Sequence, residues 1–245
     1  PAGTYCALRC KLNLFDTVGI RTGLFFHGGR AARTGSGRSV PGDKEAAMRD
    51  EHGFDEWAGG YDASVRESAE RGSYPFAGYG AVLDSLYRTV TAKAHPRALD
   101  LGFGTATLTG RLYDAGAEIW GQDFSAEMIQ RAQKRMPDAR LFHKDFSEGL
   151  ADELATRRFD FITATYSLHH LAPERQKPFL AQLRSMLVEG GAILIGDVLF
   201  ETEAAQDACR KAAGAEWDDE EHYLVFSALK DKFPTATFTP ISFCA

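Results

Sequence analysis

Ala98-Leu99-Asp100-Leu101-Gly102-Phe103-Gly104-Thr105-Ala106-Thr107 decides how this chain is read. An apolar run that ends in a Gly-x-Gly turn and passes into an amphipathic stretch predicts a strand, a tight turn and a helix over 105–114. Glycines in such a turn can take positive φ and let a ligand approach the backbone, while the helix start offers free N–H groups. Further apolar runs follow at Glu118–Gly121, Arg140–Phe142, Phe159–Ala164 and Ala192–Ile195. Helical periodicity covers 76–93 before them, and 126–135, 148–155 and 174–188 between them. A later helical pair, 202–213 and 222–231, precedes a β-prone stretch, Ala236–Phe243. Strands alternating with helices at this spacing predict a three-layer α/β sandwich with a mainly parallel sheet.

Acids punctuate the strand ends. Asp123 closes Glu118-Ile119-Trp120-Gly121-Gln122-Asp123, and Asp145 follows His143-Lys144 after the third run. A carboxylate at the tip of the second strand can accept both hydroxyls of a ribose. Its plainer job is to cap helix 126–135, but Ser125 is available for that. Asp100 has a similar choice between a ligand ammonium and bracing the turn, since a buried carboxylate is costly without partners. Three acids at the tips of consecutive strands converge on the edge where open α/β sheets bind ligands. A nicotinamide fingerprint would place a third glycine at position 107, where this chain has Thr107.

The chain has 245 residues, 44% hydrophobic and 25% charged, which are globular proportions. Its net charge of −6 is the sum of two unlike parts. Residues 1–45 carry seven Lys+Arg against three acids, a net of +4, so the remainder carries −10. Residues 1–46 are expected to be a basic, flexible extension and 47–245 the folded domain, with Met48 a candidate natural start. An acidic domain without an Arg-rich strip argues against a nucleic-acid partner. Apolar stretches too short to span a bilayer argue against a membrane. Four cysteines spread unevenly suggest the reducing cytoplasm. Cys6-x3-Cys10 with His27 lacks a fourth ligand, so no metal is expected.

Taken together, these motifs resemble the class I S-adenosylmethionine-dependent methyltransferases over about residues 53–245. Leu99 to Ala106 looks like the first family motif, acid-x-Gly-x-Gly, and Gly121-Gln122-Asp123-Phe124-Ser125-Ala126-Glu127-Met128 is similar to the second. Asp145-Phe146 sits where the family places its adenine contact. Thr163 to Leu171 looks like the fourth-strand segment, and Leu187-Val188-Glu189-Gly190-Gly191 like the turn before strand five. Phe54-Asp55-Glu56-Trp57-Ala58 with Tyr61-Asp62 is similar to the first helix of the YrrT-like bacterial methyltransferases. The resemblance implies a Rossmann-like fold that binds S-adenosylmethionine and releases S-adenosylhomocysteine. It implies that Gly102 and Gly104 admit the methionine moiety and that Asp100 contacts its amino group. Asp123, with Phe124 beside it, would take the ribose, and Asp145 with Phe146 the adenine. Ala106 replaces a glycine common in the family, a change the helix start is expected to tolerate. A final antiparallel strand is also implied beside the fifth. Ser242–Ala245 could only begin it, so a truncated sheet edge is expected.

Methyl transfer from a sulfonium needs alignment first, and a base only if the acceptor must lose a proton. Candidates are Tyr166, His169 and His170; neighbours on an extended segment point opposite ways, so one histidine is expected to face the pocket. Tyr61 is a candidate lid over the cofactor or a core residue. Asp197 is read as bracing a loop. Asp218-Asp219-Glu220-Glu221, next to Trp217 and His222, could form a metal site or a basic-substrate collar, but the solvated start of helix 222–231 explains the run without a ligand. The expected acceptor is a small molecule. Two alternatives are a cofactor-binding module without transfer and, disfavoured by Thr107, an NAD-dependent oxidoreductase.

Overall fold

Val82, Leu83, Leu86 and Val90 recur at helical spacing and are all buried, and they form the inner stripe of the first described helix. The computed structural model describes residues 9–15, 78–214 and 217–242. In chain order the elements are β1 (Arg9–Phe15), α1 (Tyr79–Thr91), β2 (Arg97–Leu101), α2 (Thr107–Asp114), β3 (Glu118–Asp123), α3 (Ala126–Arg135) and β4 (Arg140–His143). They continue with β5 (Phe159–Thr165), α4 (Pro173–Ser185), β6 (Leu187–Phe200), α5 (Glu203–Ala213), β7 (Leu224–Val225), α6 (Phe226–Leu229) and β8 (Thr237–Ser242).

The sheet order is β4-β3-β2-β5-β6-β1-β8, with β7 paired to the end of β6. Neighbours from β4 to β6 run parallel, and β1 is antiparallel to both β6 and β8. Alternation along each strand divides the core between the two faces. Leu99, Leu101, Ile162, Ile193 and Ile195 pack with Phe179, Leu180 and Leu183 of α4. Ala98, Ile119, Ala192 and Leu194 pack with the inner stripes of α1, α2 and α3. Each fully buried aliphatic side chain in these layers contributes about 1.5–3 kcal/mol of transfer free energy. The expected Rossmann-like sandwich is the observed one.

Four expectations change in detail. Residues 148–155 form no α-helix, only a single 3-10 turn at Asp152–Leu154. The buried Gln122 side chain takes over the hydrogen bonds there: its Nε2 donates to Gly149 O at 3.0 Å and its Oε1 accepts from Ala151 N at 2.8 Å. The helix over 222–231 shrinks to α6, because Leu224 and Val225 are extended and pair with Leu199 and Phe200. Strand β6 is longer than Ala192–Ile195, and it includes the Gly190-Gly191 turn as an irregularity in its pairing with β5.

The fourth change concerns the N-terminal segment. Its only described part, Arg9–Phe15, is a strand beside β6, with Leu12 opposite Ile195. The antiparallel place expected to be missing is therefore occupied, from upstream of Met48. Cys10, Leu12 and Leu14 alternate with Arg9, Lys11 and Asn13, a period-2 pattern too short to stand out in a basic stretch. The remainder of 1–46, including Cys6 and His27, lies outside the described residues, as do the 53–62 motif and Tyr61. Among the described residues no helix is long and apolar enough to cross a membrane.

Candidate active site

The β2–α2 turn sets the site. Gly102 and Gly104 have φ +67° and +52°, and Gly102 N–H is anchored to Gln122 O on β3 at 2.8 Å. A Cβ at Gly102 would come within 2.5 Å of Ser167 Cβ and 3.4 Å of Phe146 Cε1. The bare backbone there is thus a requirement of the packing as well as of φ. Ser167 Oγ donates to Leu101 O at 2.9 Å, which ties the tip of β5 to the tip of β2. Gly102→Ala is expected to cost roughly 2–3 kcal/mol in chemical denaturation, from left-handed strain plus the clash. Ala106 also lies in the left-handed region at φ +58°, outside the helix it precedes. The expected tolerance at this position therefore carries strain of about 1–2 kcal/mol.

Asp100 is on the α2 face of β2 and is 1% exposed. Its Oδ2 accepts from the Thr109 hydroxyl, whereas Oδ1 is a buried oxygen without a hydrogen-bond partner among the described residues. Burial pushes its carboxyl up to about 6 against the pull of the Thr109 and Thr163 hydroxyls, and the charge of Asp123 adds to the rise. A buried polar atom left in this state is costly unless a ligand group completes it.

Asp123 closes the opposite side. Its Oδ2 accepts from Gly104 N at 2.8 Å and its Oδ1 from Ser125 N at 3.0 Å. Burial raises its carboxyl above the usual range, opposed by those N–H groups. Ser125, as expected, is the helix cap, accepting from Met128 N. Phe124 is half-buried, and His143 Nε2 lies 2.7 Å from its carbonyl oxygen. Asp145 is exposed and accepts from Ser147 N at 2.7 Å, while Phe146 is buried and stacks on Phe179 with centroids 5.7 Å apart. The structure thus brings Asp100, Gly102, Gly104, Asp123 and Phe146 around one turn, with Asp145 on its rim.

The three candidates at the β5 tip separate. Tyr166 has φ +51°, strained for a residue with a Cβ, and its ring packs on Tyr79 at 5.1 Å. His170 is exposed. His169 is buried beneath the tip, its Nδ1 2.7 Å from Asp197 Oδ1 and its Nε2 3.7 Å from Glu221 Oε1. Burial works against charge on this imidazole, but Asp197, followed by Glu221 and Asp218, outweighs it and holds the pKa up at about 9. Burial would raise Asp197 too, yet His169 brings it below the usual carboxylate range. Asp197 also accepts from Leu168 N at 3.1 Å and Val198 N at 2.8 Å, so it does brace the loop.

Sequence reasoning gives Thr109 and Ser167 no role, and reads Glu221 only as part of an acidic run. Thr109 lies one helical turn beyond the Gly-x-Gly turn, so its contact with Asp100 was findable from the period of α2. The acidic run around Glu221 reads as a helix start, but no helix begins there.

A family model described as a methyltransferase domain matches residues 98–191, which span β2 to the first part of β6. An uncharacterized methyltransferase of Anoxybacillus flavithermus is 31% identical over 200 residues, 77% of this chain and 91% of that protein. Another, of Oceanobacillus iheyensis, is 29% identical over 192 residues, covering 76% and 87%. Among solved structures, a DhpI complex with S-adenosylhomocysteine superposes with a TM-score of 0.54 at 18% identity, over 80% of this chain and 96% of that one. The chain belongs to the class I S-adenosylmethionine-dependent methyltransferases.

Proposed function

We propose that this methyltransferase acts on a small-molecule acceptor at the tips of β2 to β5, and that the acids and glycines of the β2–α2 turn hold S-adenosylmethionine. The observation that carries this reading is the buried Asp100 Oδ1, which has no hydrogen-bond partner among the described residues and lies just before the turn that carries Gly104, where an added Cβ would meet nothing within 4 Å. A ligand ammonium would complete that oxygen, as a charge-assisted hydrogen bond. Backbone at Gly102 and Gly104 receives the methionine moiety. Asp123 has lone pairs beyond its two backbone bonds for the ribose hydroxyls. Phe124, Asp145 and Phe146 border the adenine side. The S-adenosylhomocysteine in the DhpI structure supports the same ligand class here.

When bound, the cofactor supplies a methyl group on a sulfonium, already activated for displacement. The chain's share is then alignment and exclusion of water. His169 is held as an imidazolium by Asp197, so it accepts no proton at neutral pH and serves to fix the β5 tip. Tyr166, at a strained φ at that tip, packs on Tyr79 and is given no part in proton transfer.

Calorimetry with S-adenosylhomocysteine and with NAD tests the reading. Binding of S-adenosylhomocysteine is expected, with affinity reduced about tenfold or more in Asp123→Ala through lost charged hydrogen bonds. Response to NAD alone would overturn it. Release of S-adenosylhomocysteine across a library of small acceptors tests the acceptor class, and turnover confined to protein or nucleic acid would refute it.

A further inference from the structure

A cavity of about 560 Å³ lies against α4, α5 and the 217–225 segment, and Glu221 is in its wall. That volume is in the range of about 300–1,000 Å³ typical of small-molecule sites. Its back is aromatic: Tyr223 meets Trp217 edge-on at 5.1 Å, and Phe200 lies behind them at 5.7 and 6.1 Å.

The charges of the wall are unequal. Glu203, Asp207, Asp219 and Glu221 face Lys177 and Arg210, four acids against two bases. Arg210 is spent on Asp219 at 2.6 Å. Glu221 is fixed rather than mobile. Its Oε2 accepts from the Tyr223 hydroxyl, while its Oε1 is at ion-pair distance from His169, 3.7 Å, too long for a hydrogen bond. The His169 charge is already matched by Asp197 behind it, and Glu221 lines the cavity wall.

The same wall is tied to the methyltransferase site. His222 N–H donates to His169 O at 2.7 Å, and Gln176 Nε2 donates to His222 O at 2.7 Å and to Leu171 O at 3.2 Å. Ser167, which packs on Gly102, is two residues from His169. The cavity wall is therefore tied by hydrogen bonds to the segment that follows β5.

We propose that this cavity holds the methyl acceptor, and that its acceptors carry a protonated amine received by Glu221, with Trp217 in the same wall. The inference rests on the small-molecule methyltransferase reading and adds a substrate class to it. A carboxylate in a wall that also carries an indole ring favours ammonium over neutral or anionic groups. A protonated amine has no lone pair for attack, so it anchors the molecule and the methylated atom is a second group on it.

The test uses the full chain saturated with S-adenosylhomocysteine. It is titrated at neutral pH with phenethylamine, 2-phenylethanol and 3-phenylpropionate, three probes with the same ring and different heads. Phenethylamine is expected to bind at least about tenfold more tightly than 3-phenylpropionate. In Glu221→Gln that preference falls to about twofold or less, with S-adenosylhomocysteine affinity unchanged as proof of folding. Trp217→Leu is expected to weaken phenethylamine severalfold and to leave 3-phenylpropionate unaffected. Equal binding of the probes, binding of none, or a preference that survives Glu221→Gln with Trp217→Leu also silent would overturn the proposal. Failure of the wild-type chain to bind S-adenosylhomocysteine would instead sink the reading on which it rests.

Discussion

Asp100→Asn is expected to make the ligand-free protein more stable and, in the same molecule, to weaken S-adenosylhomocysteine binding about 10- to 100-fold. The two effects share one cause. Burial raises the Asp100 carboxyl to about 6, so the folded state binds its proton more tightly than the unfolded chain does. Between the ordinary carboxylate value and 6, folding loses stability as pH rises. Above 6 the full cost of an ionised buried group is present, roughly 1–3 kcal/mol. An amide removes the charge and keeps an acceptor for the Thr109 hydroxyl. It also removes the anion that a ligand ammonium would meet at Oδ1, a charged hydrogen bond worth about 1.5–3 kcal/mol. Thermal unfolding with and without S-adenosylhomocysteine reads both changes. The gain in stability should vanish below pH 4, and wild-type affinity should fall as pH drops through 6. A variant that loses stability at pH 7, or binds as the wild type does, would show that Asp100 only braces the turn.

The second large effect is at the other end of the site. His169→Ala should cost about 3–5 kcal/mol in urea unfolding at pH 7, since it leaves the Asp197 carboxylate buried without its cation. The pH dependence follows from His169, raised to about 9. Its stabilisation is complete below the unfolded value near 6.5 and is lost as pH rises through 9. Asp197 is lowered, so on the acid side the pair persists until pH falls below the ordinary carboxylate range. The gap between wild type and His169→Asn should therefore narrow between pH 6.5 and 9. A constant gap would mean that the ring contributes packing and no charge.

These two residues also mark how far the sequence could be read. The placement of Asp100, Gly102, Gly104, Asp123 and Ser125 was legible because it depends on position within a strand, turn or cap, all local in the chain. The parallel core was legible for the same reason, from apolar runs alternating with amphipathic stretches. The partner of His169 was not, because Asp197 comes from the next strand and Glu221 from an irregular segment beyond α5, joined to His169 only by the fold. Residues 148–155 were misread because a distant amide, Gln122, satisfies backbone that would otherwise have needed a helix. Strand β1 escaped because seven residues of alternation carry little weight without knowledge of the sheet edge they meet.

That edge has a consequence for how the molecule is made. Strand β1 is the earliest of the described elements to be synthesised, yet both of its neighbours, β6 and β8, come near the other end of the chain. It must wait, unpaired, while the parallel core assembles, and contacts of such long sequence separation form slowly. Until it docks, Ala192 to Val198 of β6 present an apolar strand with open N–H and C=O groups, a template for pairing between molecules. Dilution or cooling during refolding should accordingly favour the folded product over aggregates.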